Sequence, residues 1–220
     1  MLDNRERKLR RLNSIATEEL SPSMYNLYLG GFISYGLFMN MLSVIFFEDF
    51  FLSITPKIFI IAYFVSCFAG IIISVISQNP FISFIGYNFV VLPIGGLLTI
   101  CLRNYEGANI ISAITVTGIV VVLMTIFAMA KPDFFGSLGK TLFLTLIISF
   151  IAEIVAMLMG YGGNLFNWLF VIIFSLYIGY DYVKSQEYPK TIDNAVDSAL
   201  DIYLDIINIF VRLLEIFSDD

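Results

Sequence analysis

Six apolar stretches of about twenty residues each, separated by short polar turns, most restrict what this chain can fold into. A helix of about 20 residues crosses the roughly 30 Å hydrocarbon core of a bilayer. Only 14% of the 220 residues are charged, against about 25% in soluble domains. The pattern predicts an all-α integral membrane protein, with spans at 25–47, 57–77, 81–102, 108–130, 138–159 and 165–183.

A seventh helix is predicted at 193–217, and it carries a polar stripe. A step of four residues drifts only about 40° around a helix, so residues at this spacing share one face. Within a membrane that face must turn toward protein or a water-filled cavity, because carboxylates facing lipid are costly. We therefore predict seven transmembrane helices, with a re-entrant or surface helix as the alternative for the seventh. The stripe consists of Asp193, Asp197, Asp201, Asp205, Asn208, Arg212 and Glu215.

The distribution of basic residues predicts the topology. We divide the chain into a cytoplasmic tail, 1–23, and one transmembrane domain, 24–220. Basic residues concentrate on the cytoplasmic side of membrane proteins, which places the N-terminus in the cytoplasm and the C-terminus outside. The polar tail without a targeting signal favours a prokaryotic plasma membrane, with an internal membrane as the alternative. The inner set is Arg5, Arg7, Lys8, Arg10, Arg11, Lys131, Lys140, Lys184 and Lys190; the outer set is Lys57, Arg103 and Arg212.

Acidic residues inside the membrane are the candidate functional groups. Asp181 lies near the inner end of the sixth span, and the seventh helix turns back from that side, so Asp181 can approach Asp201 or Asp205. Two carboxylates in a low-dielectric site cannot both ionise cheaply, so the pair titrates as a unit. Such a pair can hold a proton near neutral pH or bind a hard cation such as Ca²⁺ through oxygen ligands.

The other polar residues of the spans have supporting roles in this prediction. Glu153 is expected to pair with Arg212 or Arg103, or to line an exit from the cavity. Asn208 lies one turn beyond Asp205 and can hydrogen-bond it or a neighbouring helix. For Asp193 and Asp197 we expect only capping and solvation of the helix start, where negative charge suits the helix dipole.

Several function classes are disfavoured by what the sequence lacks. Histidine is absent, which removes His-based metal sites and the usual neutral-pH switch. Cys67 and Cys101 fall inside apolar spans and are expected to be free, packed thiols. Tyr180-Asp181 matches half of the pattern of an intramembrane aspartyl protease, but no GxGD follows it. We therefore expect neither an enzyme nor a nucleic-acid-binding protein, and no resident cofactor.

Two stretches in the C-terminal half resemble the Bax inhibitor motif family: GYDYVKSQ at 179–186 and ALDIYLDIINIFVRLLEIF at 199–217. A third, 114–140, is similar to the family's fourth span and following loop. The resemblance implies seven helices with the last one central and surrounded by the other six. It also implies a Ca²⁺ leak regulated by pH through two aspartates, which correspond to Asp181 and Asp205. A basic latch residue found in the second span of some members has no counterpart in 59–77.

The sequence therefore predicts a Ca²⁺ leak channel gated by protonation of Asp181 and Asp205, with lipid, Ca²⁺ and protons as its partners. Two alternatives remain. One is an interaction protein that modulates a membrane protease or stress response through an unknown membrane partner and transports nothing. The other is a proton-coupled cation exchanger built on the same carboxylates.

Overall fold

A computed structural model describes residues 19–161 and 164–218, and every regular element within those ranges is a helix. The nine helices of the described residues are α1 Pro22–Phe46, α2 Glu48–Ser53, α3 Pro56–Ile76, α4 Pro80–Leu102, α5 Gly107–Ala130, α6 Pro132–Ser137, α7 Gly139–Leu158, α8 Asn164–Glu187 and α9 Ile192–Ser218. The predicted tail falls mostly on residues 1–18, outside the described residues. The prediction of one transmembrane domain over 24–220 stays a prediction.

Six of these helices are long and apolar enough to cross a membrane: α1, α3, α4, α5, α7 and α8. They correspond to the six predicted spans and confirm a multi-pass membrane protein. Proline occupies the first turn of α1, α3 and α4, where its missing N–H has no intrahelical partner to lose. Ser21 caps α1, because its hydroxyl accepts from the Met24 N–H at 3.3 Å.

Helix α9 is a single unbroken helix of 27 residues. Because it contains several aspartates, α9 is not among the six helices that are apolar enough to span a membrane. Its side chains are nevertheless mostly buried along its length, including Ala195, Ala199 and Ile209, each 0% exposed. Protein therefore encloses most of α9, and its role as a seventh span stays a prediction.

Two of the connections between the predicted spans are short helices. The segment after α1 forms α2, and the segment KPDFFGSLGK contains α6; each is six residues long. Both begin with acidic residues in the first turn, Glu48 and Asp49 in α2 and Asp133 in α6, where negative charge stabilises the exposed N–H groups. A helix of six residues is too short to show a hydrophobic period, so the sequence pattern missed both.

The first compact unit contains residues 19–104 and Ser185–Tyr203. Helices α3 and α4 pack closely in it: a Cβ at Gly70 would lie 2.5 Å from the Gly86 carbonyl oxygen, so the absence of a side chain permits this approach. Helix α4 runs unbroken through Pro93. On α1, Gly36 lies in close contact with Tyr87 and Tyr203, whereas Gly30 has open space around it.

The second compact unit contains residues Tyr105–Lys184 and 204–218. A small core in this unit consists of Ala128, Phe135 and Val183, from α5, α6 and α8, each nearly inaccessible to solvent. This core attaches the C-terminal end of α8 to the short helix α6. It thereby fixes the part of α8 that carries Asp181.

Candidate functional site

Asp181 lies six residues before the end of α8, in a segment held by close packing. On one side of it, Gly179 lies directly against the ring of Phe135, leaving no room for a Cβ. Tyr180 packs on the start of α7, where a Cβ at Gly139 would lie 2.5 Å from its hydroxyl oxygen. The two glycines therefore allow α8 to approach α6 and α7 closely, and Asp181, half-buried, is fixed with them.

Asp205 lies on α9 in the same compact unit and is 6% exposed. Tyr177, one helical turn before Asp181, lies within electrostatic range of both Asp181 and Asp205. The two predicted carboxylates therefore share one neighbourhood with a phenolic hydroxyl. Sequence reasoning did not single out Tyr177, although its i, i+4 spacing from Asp181 places the two side chains on one face of α8.

The two other polar residues near this pair are placed differently. Asp201 is half-buried one turn before Asp205 on α9, but it belongs to the first compact unit. Its participation in the pair stays a prediction. Asn208 donates from its side-chain nitrogen to the Leu204 carbonyl oxygen at 2.7 Å. That bond stays within α9, so this amide nitrogen serves its own helix.

Glu153 pairs with Arg212, as predicted. The guanidinium Nη1 lies 2.5 Å from Glu153 Oε1 and Nη2 lies 3.0 Å from Oε2, a bidentate arrangement joining α7 to α9. Nη1 also donates to Asn167 Oδ1 of α8 at 2.8 Å. Sequence reasoning missed Asn167, although an amide side chain within an apolar span indicates a polar contact. Arg103, the alternative partner, instead lies 3.9 Å from Glu48.

The expectation that Asp193 and Asp197 are solvated is wrong. They are 2% and 3% exposed, and each accepts a hydrogen bond from a serine of another helix in the first unit. Ser83 of α4 donates to Asp193 Oδ1 at 2.6 Å, and Ser74 of α3 donates to Asp197 Oδ1. Capping is performed by Thr191, whose hydroxyl accepts from the Asn194 N–H at 3.1 Å.

Two further expectations concern metal and cysteine chemistry. Over 19–161 and 164–218, no three His, Cys, Asp or Glu side chains are grouped so as to hold a metal ion. Ca²⁺ binding by Asp181 and Asp205 alone stays a prediction.

Cys67 and Cys101 are not joined in a disulfide, as expected, and both are half-buried.

Comparison with known proteins settles the family. The family described as "Inhibitor of apoptosis-promoting Bax1" matches residues 20–220, which is nearly the whole chain. The chain belongs to the Bax inhibitor family. The match covers α1 to α9, and therefore includes Asp181, Asp205 and the Glu153–Arg212 pair.

Individual Bax inhibitor relatives match over a shorter range. An uncharacterised protein of Helicobacter pylori, found in two strains, is 33% identical over 115 residues, 49% of this chain and 48% of the relative. The protein named LIFEGUARD 4 of Arabidopsis thaliana is 33% identical over 121 residues, 51% of this chain and 47% of its own length. The matched segment thus spans about half the length of each of these relatives.

Proposed function

We propose that this protein is a pH-sensitive Ca²⁺ leak channel gated by Asp181 and Asp205. The observation that supports the proposal most directly is the neighbourhood of Tyr177, which interacts electrostatically with both carboxylates. Asp205 is 6% exposed, so its charge is largely removed from water. A buried carboxylate on a membrane helix requires a proton, a cation or a hydrogen-bonding partner to offset that loss of hydration.

Shared protonation provides the gate in this proposal. When both carboxylates are ionised, they repel each other and attract a divalent cation. When a proton is shared between them, the repulsion falls and α8 and α9 pack together more closely at this level. Proton occupancy therefore changes both the affinity of the pair for Ca²⁺ and the packing of the two helices.

The membrane arrangement in this proposal has α9 as a seventh span, central and surrounded by the other six. The N-terminus is cytoplasmic, the C-terminus is outside, and the host membrane is the plasma membrane. Ca²⁺ is the transported ion, and protons and lipid are the other partners. The channel works as a passive leak without a resident cofactor and without enzymatic activity.

Ca²⁺ flux into liposomes tests the proposal. The purified protein is reconstituted with a Ca²⁺-sensitive dye inside, and influx is followed between pH 6 and pH 8, a range bracketing neutrality as a shared proton requires. We expect Asp205→Asn and Asp181→Asn each to change the influx and flatten its pH dependence. Asp133→Asn is the matched control, because it makes the same chemical change at an exposed position of α6. Flux and pH response that are unchanged in both pair variants would contradict the mechanism.

The same preparation distinguishes the two other functions. Influx no greater than that of empty liposomes, together with a co-purifying membrane protein, indicates an interaction protein. Ca²⁺ moving up its gradient when a pH gradient is imposed indicates a proton-coupled exchanger. A leak shows neither result: Ca²⁺ runs down its gradient whether or not a pH gradient is present.

A further inference from the structure

Arg212 is bound by side chains from two other helices of the second unit. Its Nη1 atom lies 2.5 Å from Glu153 Oε1 of α7 and 2.8 Å from Asn167 Oδ1 of α8. A third oxygen, Oε2 of Glu215 on α9 itself, lies 3.9 Å from the same nitrogen. Two side-chain oxygens therefore accept hydrogen bonds from one guanidinium nitrogen, and the Glu215 carboxylate adds a longer ion pair.

The environment of this ion pair makes it costly to open. The side chains of Arg212 and Glu153 are each 17% exposed, and the guanidinium carbon lies 4.3 Å from the centroid of the Phe170 ring. A guanidinium does not lose its proton in a protein. The positive charge is therefore permanent, and separating it from Glu153 would leave two poorly hydrated charges.

The position of Arg212 on α9 connects it with the proposed gate. It follows Asp205 by seven residues, so it lies on the same face of the helix, rotated by only about 20° and about 10 Å further along the axis. A cation that leaves Asp205 along this face therefore arrives at a fixed positive charge. The acid that would receive the cation, Glu153, already has a bound counter-charge.

We propose that Arg212 is a tethered counter-cation for Glu153 that closes the cation route beyond Asp205. This inference rests on the proposed leak function and adds to it a second point of control. Transported Ca²⁺ passes only when the guanidinium leaves Glu153. The positive charge of Arg212 thus limits the rate at which Ca²⁺ passes, while Asp181 and Asp205 set the pH response.

Three variants in the liposome flux measurement test this role. Arg212→Gln removes the charge and frees Glu153, and we expect Ca²⁺ influx severalfold above that of the native protein. Arg212→Lys retains the charge but loses the bidentate geometry, and we expect influx close to native. The double variant Glu153→Gln with Arg212→Gln removes the freed acid as well, and its influx should fall below that of the single Arg212→Gln variant.

Comparison of these variants separates a charge effect from loss of packing. Arg212→Lys and Arg212→Gln both break the fork-shaped contact, so both should lower the thermal unfolding midpoint in detergent. Only the glutamine variant should raise influx. Equal influx in the lysine and glutamine variants would overturn the role of charge. A double variant that conducts as fast as Arg212→Gln would overturn the role of Glu153 as the acid that Arg212 neutralises.

The role of Arg212 and the leak function can each be contradicted without the other. If native influx exceeds that of empty liposomes and falls in Asp205→Asn, while Arg212→Gln conducts like native, the counter-cation role is overturned and the leak function stands. If native influx equals that of empty liposomes while Arg212→Gln exceeds both, Arg212 does close the route and the native protein is not a constitutive leak.

Discussion

The Ser83 hydroxyl donates to the Asp193 carboxylate at 2.6 Å, although the two residues are 110 positions apart in the chain. A second bond of the same kind joins Ser74 to Asp197 one helical turn further along α9. All four side chains are at most 3% exposed. The start of α9 is therefore attached to α3 and α4 by two buried hydroxyl–carboxylate bonds, which we call the serine clasps.

Removing either clasp is expected to destabilise the protein. Ser83→Ala and Ser74→Ala should each lower the free energy of unfolding by about 1–3 kcal/mol, because a buried carboxylate loses the hydrogen bond that the serine donates. The thermal unfolding midpoint in detergent measures the effect. Ser112→Ala serves as control, since that exposed hydroxyl donates to the Ala108 carbonyl oxygen of its own helix. A Ser83→Ala protein that unfolds at the same temperature as the control would show that the clasp adds no stability.

Gly36 and Gly30, both on α1, give a matched pair of substitutions. A Cβ at Gly36 would overlap the Tyr87 hydroxyl and lie 3.0 Å from the Tyr203 ring, whereas nothing lies within 4 Å of a Cβ at Gly30. Gly36→Ala should therefore cost about 1–3 kcal/mol through overpacking. Gly30→Ala should leave stability unchanged or raise it by up to about 1 kcal/mol, because alanine favours the helix. Unfolding midpoints in the opposite order would contradict this packing.

Asn40 and Tyr203 form a buried hydrogen bond that can be tested by compensation. Asn40 is 4% exposed and its side-chain nitrogen donates to the Tyr203 hydroxyl oxygen at 2.7 Å, while its Oδ1 accepts no hydrogen bond from the described residues. Tyr203→Phe leaves the whole amide unsatisfied and should cost about 1–3 kcal/mol. Adding Asn40→Leu should recover part of that loss. A double variant less stable than Tyr203→Phe alone would refute the prediction.

The ion pair of Glu153 and Arg212 should show energetic coupling in a double-mutant cycle. Changing each residue to Gln, singly and together, should give a coupling free energy of about 1–3 kcal/mol, since contacting charged residues couple in this range. The pair Glu48 and Arg103 is the control: its side chains are 50% and 61% exposed and lie 3.9 Å apart. Exposed pairs of this kind contribute little. Equal coupling in the two pairs would show that burial does not strengthen the first.

The membrane helices could be predicted closely because the sequence marks both their apolar length and their ends. Proline at the first helical position and short polar turns fixed the starts of α3 and α4 to one residue. The sequence also predicted Arg212 as one partner of Glu153, with Arg103 or an exit-lining role as the alternatives, and the contact with Arg212 selects among them. Position along a helix and the sign of a charge are properties that a sequence contains directly.

The clasps could not be predicted, because the period of a helix does not identify what packs against it. Asp193 and Asp197 fit equally well on a solvated first turn or on a buried one. The buried position is decided by contacts with Ser74 and Ser83, which lie on helices distant in the sequence. Serine in an apolar span usually bonds only to its own backbone, so the sequence does not identify these two as partners. Asn167 was missed for the same reason, since its partner lies 45 positions away on another helix.

The serine clasps also bear on the order in which the helices assemble during synthesis. Ribosomes extend a chain from its N-terminus, so α3 and α4, with their hydroxyls, leave the ribosome before Asp193 and Asp197. The acidic start of α9 thus finds its hydroxyl donors already made. The order of the helices along the chain therefore supports the late packing of its most acidic one.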